Sequence, residues 1–331
     1  MGGCATGAGG HRSPRSAGRV CPADYRIEAD AFSGGPEPSC DTLFVVGGLY
    51  GNRFALDALD RLVAAETGTV HVVLNGDVHW FDRLPEDFSE IERRIARYQA
   101  LVGNVEFELR RAGDVGAGCG CAYPDSVSDA VVGRSNRIHA TLAHMLAQSP
   151  RLKEPLQGRA STAVARVDGR RVAVTHGDER LVGGWGCSRD SLRDAVRQGE
   201  LDTWMRVNGV AVLATTHTCA PAAVTLGSGA VVNNGAAGMP NFRGTQYGLA
   251  TRVGAAPSPS ALYRACVDGV SVEAVPLCYD HDAYLQWFDS RWPTRSPAAV
   301  SYRGRIEGGP ADEVGNALLG GFEVVSREHS G

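Results

Sequence analysis

The sequence predicts an α/β fold, and three observations carry that reading. Short apolar runs end at polar, glycine-bearing loops. A helical repeat of apolar residues follows the first of those loops. Later apolar runs come in pairs around Asp-Gly or glycine turns, as β-hairpins do. The chain's 331 residues exceed an average domain, but a large α/β sandwich uses most of such a length.

Residues 1–38 are rich in Gly, Ser and Pro and carry no periodicity, so an irregular segment is expected there. Its Arg12, Arg15 and Arg19 without acids faintly resemble a transit peptide, but the glycines favour a loose tail. Residues 39–280 read as the main domain. Residues 43–46 form the first buried strand, ending in Gly47-Gly48-Leu49-Tyr50-Gly51-Asn52. Phe54, Leu56, Leu59, Leu62 and Val63 then recur at helical spacing. Residues 70–74 make the next strand, followed by Asn75-Gly76-Asp77. Ser89 with Glu92 reads as a capping box opening a helix through Leu101, which Gly103-Asn104 stops.

Residues 112–127 are Gly- and Cys-rich and expected to be irregular; a helix is expected over 128–148. Runs 163–167 and 171–175 flank Asp168-Gly169, and 261–267 and 270–275 flank Asp268-Gly269. Between them lie a strand over 210–214 and a hairpin over 222–226 and 230–233. Residues 281–331 are expected to hold a short helix around 283–288 and a Pro/Gly-rich tail.

Acidic residues outnumber basic ones 37 to 33, which argues against a dedicated nucleic-acid binder. No run of about 18 apolar residues occurs, so no membrane span is expected. Nine scattered cysteines without a signal-peptide core suggest a reduced, cytoplasmic setting. Composition leaves the oligomeric state open.

The residues able to do chemistry sit where strands end: Tyr50-Gly51-Asn52, Gly76-Asp77, Gly103-Asn104-Val105-Glu106, Thr175-His176-Gly177-Asp178, Thr216-His217-Thr218-Cys219 and Asn233-Asn234-Gly235. Singly each is ordinary turn chemistry; their order and placement are far more specific. Across residues 41–278 this series resembles the calcineurin-like metallophosphoesterase superfamily. The resemblance implies a four-layer α/β/β/α sandwich of two mixed sheets flanked by helices. It also implies hydrolysis of a phosphomonoester or phosphodiester by a metal-bound hydroxide. One family metal maps onto Asp77, Asn104, His176 and His217, a donor set suited to Mn, Fe or Zn.

The other family metal has lost all its usual ligands except the shared Asp77, because the sequence reads Gly48, Tyr50 and Cys219 at those positions. Loss confined to one site suggests that it was emptied as a unit, leaving one ion per chain. The alternative is a rebuilt, iron-favouring site drawing on Tyr50, Cys219 and His79; a further one is a catalytically inactive module that binds metal or a phosphorylated ligand. Val105 stands where the family carries a general-acid His, which favours substrates with good leaving groups. Asn52, Arg53 and Arg180 are the candidate contacts to a small phosphorylated substrate, with Arg134 and Arg137 nearby. Asn52 and Asn234 also suit loop-fixing hydrogen bonds. Cys119-Gly120-Cys121 is a weak zinc signal without a second pair.

Overall fold

A computed structural model describes residues 16–325; Cys4, Arg12 and Arg15 lie outside the described residues. The first half alternates strands and helices: β1 (Ser39–Cys40), β2 (Thr42–Val46), α1 (Arg53–Ala65), β3 (Val70–Asn75), α2 (Pro85–Ile95), β4 (Gln99–Leu101), α3 (Asn104–Arg110), α4 (Asp129–Gln148) and α5 (Glu154–Gln157). Then come β5 (Thr162–Val167), β6 (Arg170–Thr175), α6 (Ala195–Asn208), β7 (Val212–Thr215), β8 (Ala222–Leu226) and β9 (Gly229–Asn233). The chain continues through β10 (Gly248–Gly254), β11 (Tyr263–Val267), β12 (Val270–Leu277), α7 (His281–Arg291), α8 (Pro297–Gly308), β13 (Leu318–Gly320) and β14 (Glu323–Val324).

These strands make two mixed seven-stranded sheets, ordered β1-β5-β6-β7-β9-β8-β13 and β14-β11-β12-β10-β2-β3-β4. The sheets pack face to face because their strands alternate. Leu43 and Val45 of β2 join Val172 and Val174 of β6 in the core between the sheets. Phe44 and Val46 face the other way, into a helical layer with Leu56, Ile91, Ile138 and Phe288. On the far side Ala173 and Leu213 meet Leu201 and Met205 of α6 and the buried Tyr25 and Phe32 of the N-terminal segment. The result is the four-layer sandwich. The Asp168-Gly169 and Asp268-Gly269 turns close antiparallel hairpins, with all four residues at positive φ.

Several boundaries differ from the sequence reading. Helix α2 starts at Pro85, and Ser89 lies inside it, its hydroxyl donating to the Pro85 carbonyl at 2.7 Å. Proline at the first helical position outcompetes the capping box because its missing N–H is no loss there. The helix ends at Ile95, and residues 99–101 instead form edge strand β4 beside β3. Asn104 opens a helix rather than ending one, since the Glu106 carboxylate accepts from the Gly103 N–H at 2.9 Å.

Strand β10, unanticipated, is central, paired with both β12 and β2. Its Arg252 is buried against Glu66 and Glu273, which hid an otherwise apolar strand. Helix α6 was not expected either, nor was α8 in the supposed tail. Helix α8 packs against α4 and reaches the site described next.

Candidate metal centre

The parallel strands β2, β3, β4, β6 and β7 end on one side of the sandwich, and the loops that follow them converge there, the usual place for a site in α/β sheets. Asp77 follows β3, Asn104 opens α3 after β4, His176 follows β6 and His217 follows β7. Ligand atoms of Asp77, His176 and His217 lie within 4.8 Å of one another, and all three residues are buried. Nε2 of His176 is 3.4 Å from Asp77 Oδ1, 3.2 Å from Asn104 Oδ1 and 3.2 Å from His217 Nδ1.

The supporting bonds orient this group. His176 Nδ1 donates to the Asn75 carbonyl at 2.7 Å, and His217 Nε2 to the Cys121 carbonyl at 3.2 Å. Each imidazole thus uses its proton outward and turns a bare nitrogen inward. Asn104 Nδ2 donates to the Cys119 carbonyl at 2.8 Å, which aims its Oδ1 into the centre. Four acceptors therefore face one another, an arrangement that repels itself and attracts a cation. The donor set of two imidazoles, one carboxylate and one amide oxygen fits Mn, Fe or Zn.

The same pull shows in the protonation equilibria. Burial opposes charge on Asp77, yet the neighbouring His176 holds its carboxyl below the usual range. Burial would lower His176, but Asp77 raises it overall. His217, buried and beside His176, is pushed down to about 4 and stays neutral at ordinary pH.

Backbone chemistry fixes the loops. The Glu106 carboxylate accepts from the N–H groups of Asp77 (2.8 Å), Val78 (2.8 Å), His79 (3.2 Å) and Gly103 (2.9 Å), so it holds structure and does not face the cavity. Gly103 must be glycine, because a Cβ there would sit 2.3 Å from Asp77 Oδ1 and 2.8 Å from His176 Cε1. Tyr50, Asp77, His217 and Cys219 all have positive φ, between 30° and 56°, a concentration of strain typical of functional sites.

Tyr50 and Cys219 meet each other. The phenol oxygen and the thiol sulfur are 2.7 Å apart, and both line the same cavity as Asp77. Burial pushes the phenol and the thiol upward, so both keep their protons. Among the described residues the only group of three or more His, Cys, Asp or Glu side chains close enough to share an ion is Asp77, His176 and His217.

Other expected site residues lie elsewhere. His79 is not on the surface and has no nitrogen to spare: it is buried, stacked 3.7 Å from Phe88, and bonded to Asp82 and, at 2.6 Å, to Glu92. Asn52 caps α1, its Oδ1 accepting from Phe54 N and Ala55 N, and its Nδ2 donates to the Gly238 carbonyl, so both ends of its amide are engaged. Arg53 lies over the Phe54 ring, and Arg180 pairs with Glu179 and Glu200. Neither reaches the cavity wall, and Arg134 is bonded to Ser301. Asn234 ties loops together, bonding to Gly47, Leu249 and Thr216.

The cavity over the centre has a volume of about 140 Å³. Sequence reasoning missed much of its wall: Trp80, Tyr123, Trp185 and Tyr302. A local signal existed for some of them, in Cys119-Gly120-Cys121-Ala122-Tyr123 and Gly184-Trp185-Gly186, where bulky or reactive residues sit among loop glycines.

No family model and no curated protein matches this chain. Solved structures do. The hypothetical protein PH1004 from Pyrococcus horikoshii OT3 is 14% identical, with a TM-score of 0.56 over 83% of this chain and 100% of its own. A metallophosphoesterase from Sphaerobacter thermophilus is 14% identical, with a TM-score of 0.50 over 81% of this chain and 100% of its own. At such identities the likeness establishes the fold, and the chain has the fold of the calcineurin-like metallophosphoesterases.

Proposed function

We propose that this chain is a metal-dependent phosphoesterase that works with a single ion, held by Asp77, Asn104, His176 and His217. The observation that carries the reading is the convergence of four inward-facing acceptors, of which Asn104, His176 and His217 are each tied to a backbone carbonyl through their remaining polar atom. An ion bound there supplies a Lewis acid for a phosphoryl oxygen and lowers the pKa of water. Hydrolysis joins a water oxygen to phosphorus, breaks the ester P–O bond and passes a proton to the departing oxygen. Val105 is apolar and buried at the place where the resemblance expects a proton donor, so esters whose leaving oxygen needs little protonation are the better substrates.

A non-catalytic module that keeps its ion is the second reading, and Val105 together with the Tyr50–Cys219 pair favours it. Metal analysis of the purified full-length chain, joined to hydrolysis of p-nitrophenyl phosphate and bis(p-nitrophenyl) phosphate, separates the two. One Mn, Fe or Zn per chain with turnover supports the enzyme. The same metal content without turnover across pH and metals supports the module. Full metal retention by His217→Ala refutes the ligand set itself.

A further inference from the structure

Among the described residues, no lysine or arginine lines the cavity above Asp77 and His217. The nearby arginines are spent elsewhere: Arg180 on Glu179 and Glu200, Arg134 on Ser301, and Arg305 on the carbonyls of Pro240 and Cys219. The wall is instead aromatic, built from Tyr50, Trp80, Tyr123, Trp185 and Tyr302. Resting on the phosphoesterase reading above, we infer that this cavity takes monoanionic phosphodiesters in preference to dianionic phosphomonoesters.

Charge balance decides between them. A doubly charged cation less the single charge of Asp77 leaves one net positive charge, because an imidazole that holds an ion gives it a lone pair and brings no charge of its own. A diester anion cancels that charge. A monoester dianion leaves one negative charge unmatched in a space of about 140 Å³. Unmatched charge away from water is strongly disfavoured. A second cation or an arginine fork would repair the imbalance, but the place where the resemblance puts the second ion holds a phenol and a thiol bonded to each other at 2.7 Å, and no arginine among the described residues lines the cavity. The aromatic wall in turn suits the uncharged second arm that only a diester carries.

Binding tests this without relying on turnover. The full-length chain is loaded with zinc at pH 8 and titrated with methyl phenyl phosphate or phenyl phosphate, followed by the fluorescence of Trp80 and Trp185 in the cavity wall. At that pH phenyl phosphate is a dianion, its second pKa being about 6. Methyl phenyl phosphate should bind at least about tenfold more tightly. Tyr302→Arg, at a half-buried position on α8, adds the missing cation and should narrow the gap by strengthening phenyl phosphate binding. Equal or tighter binding of phenyl phosphate to the unaltered chain overturns the inference and leaves the phosphoesterase reading standing. If the chain holds zinc and binds neither ester, both fall.

Discussion

Removing one ligand and reading metal-dependent stability tests the centre most directly. The perturbation is His217→Ala. In the metal-loaded chain an ion present at about a hundredfold over its Kd stabilises the fold by roughly 2.7 kcal/mol. With about 2.1 cal/mol/K of unfolding entropy for each of the 331 residues, each kcal/mol moves Tm by about 1.5 °C, so loading should raise Tm by about 4 °C. Disturbing even a supporting partner of a ligand weakens metal affinity by about 10–100-fold, and losing a ligand costs no less. A hundredfold loss brings the same metal concentration down to the Kd, where the gain is only about 0.4 kcal/mol. The metal-induced shift should then shrink to about 0.6 °C.

The metal-free variant should differ little from metal-free wild type. It loses one hydrogen bond, from His217 Nε2 to the Cys121 carbonyl at 3.2 Å, worth about 1 kcal/mol. It also loses the facing lone pairs of His217 Nδ1 and His176 Nε2, 3.2 Å apart, which offsets part of that. Calorimetric melting of chelator-stripped protein, with and without zinc chloride, reads both quantities. An equal zinc-induced rise in wild type and variant would refute the ligand assignment.

Cys219→Ala should leave metal content at one ion per chain, since the thiol bonds Tyr50 and is not among the converging ligands; loss of an ion by elemental analysis would favour a rebuilt site. His79 should make stability fall at alkaline pH. Burial alone would lower its pKa, but Asp82 and Glu92 outweigh burial and hold it at about 9. Its folded value lies above the ordinary value of about 6.5, so the stabilisation is complete below pH 6.5 and lost as pH rises through 9. The midpoint of urea unfolding should drop over that window in wild type and much less in His79→Gln. Arg252→Met should cost about 3–5 kcal/mol, because it strands Glu66 and the fully buried Glu273 without their guanidinium, and a Tm within about 1.5 °C of wild type, about the shift of a single kcal/mol, would contradict that.

What the sequence made legible follows from how the fold buries its chain. Strands β2 and β7 are buried along their whole length and β3 and β6 over their last four residues, so each reads as an apolar run toward its end, and the polar loop that follows stands out. That is why the sequence singles out Asp77, His176 and His217, which the fold brings together. Strand β10 was hidden because Arg252 interrupts it, and only the tertiary partners Glu66 and Glu273 make an arginine tolerable there. Helix α6 exposes Val196 and Val207, which blurs its apolar stripe. The cavity wall comes from four separate stretches, around Trp80, Tyr123, Trp185 and Tyr302, and nothing local in a sequence says that they meet. His79 and Arg180 were misread for the same reason: their partners, Glu92 and Glu200, come from other parts of the chain.

The two halves of the centre differ in whether they need anything from outside. Tyr50 and Cys219 can satisfy each other, since either atom can donate to the other across 2.7 Å, and the pair is electrically neutral. His176, His217, Asn104 and Asp77 cannot: their protons are already given to Asn75, Cys121 and Cys119 or absent, and what remains turned inward is four acceptors. Self-repelling acceptors in a buried place persist only if something positive repays the strain, whereas a satisfied phenol–thiol pair asks for nothing. The missing ligands that the resemblance implies at one position thus have a physical counterpart: inward acceptors that would draw a cation, beside a phenol and a thiol that bond each other.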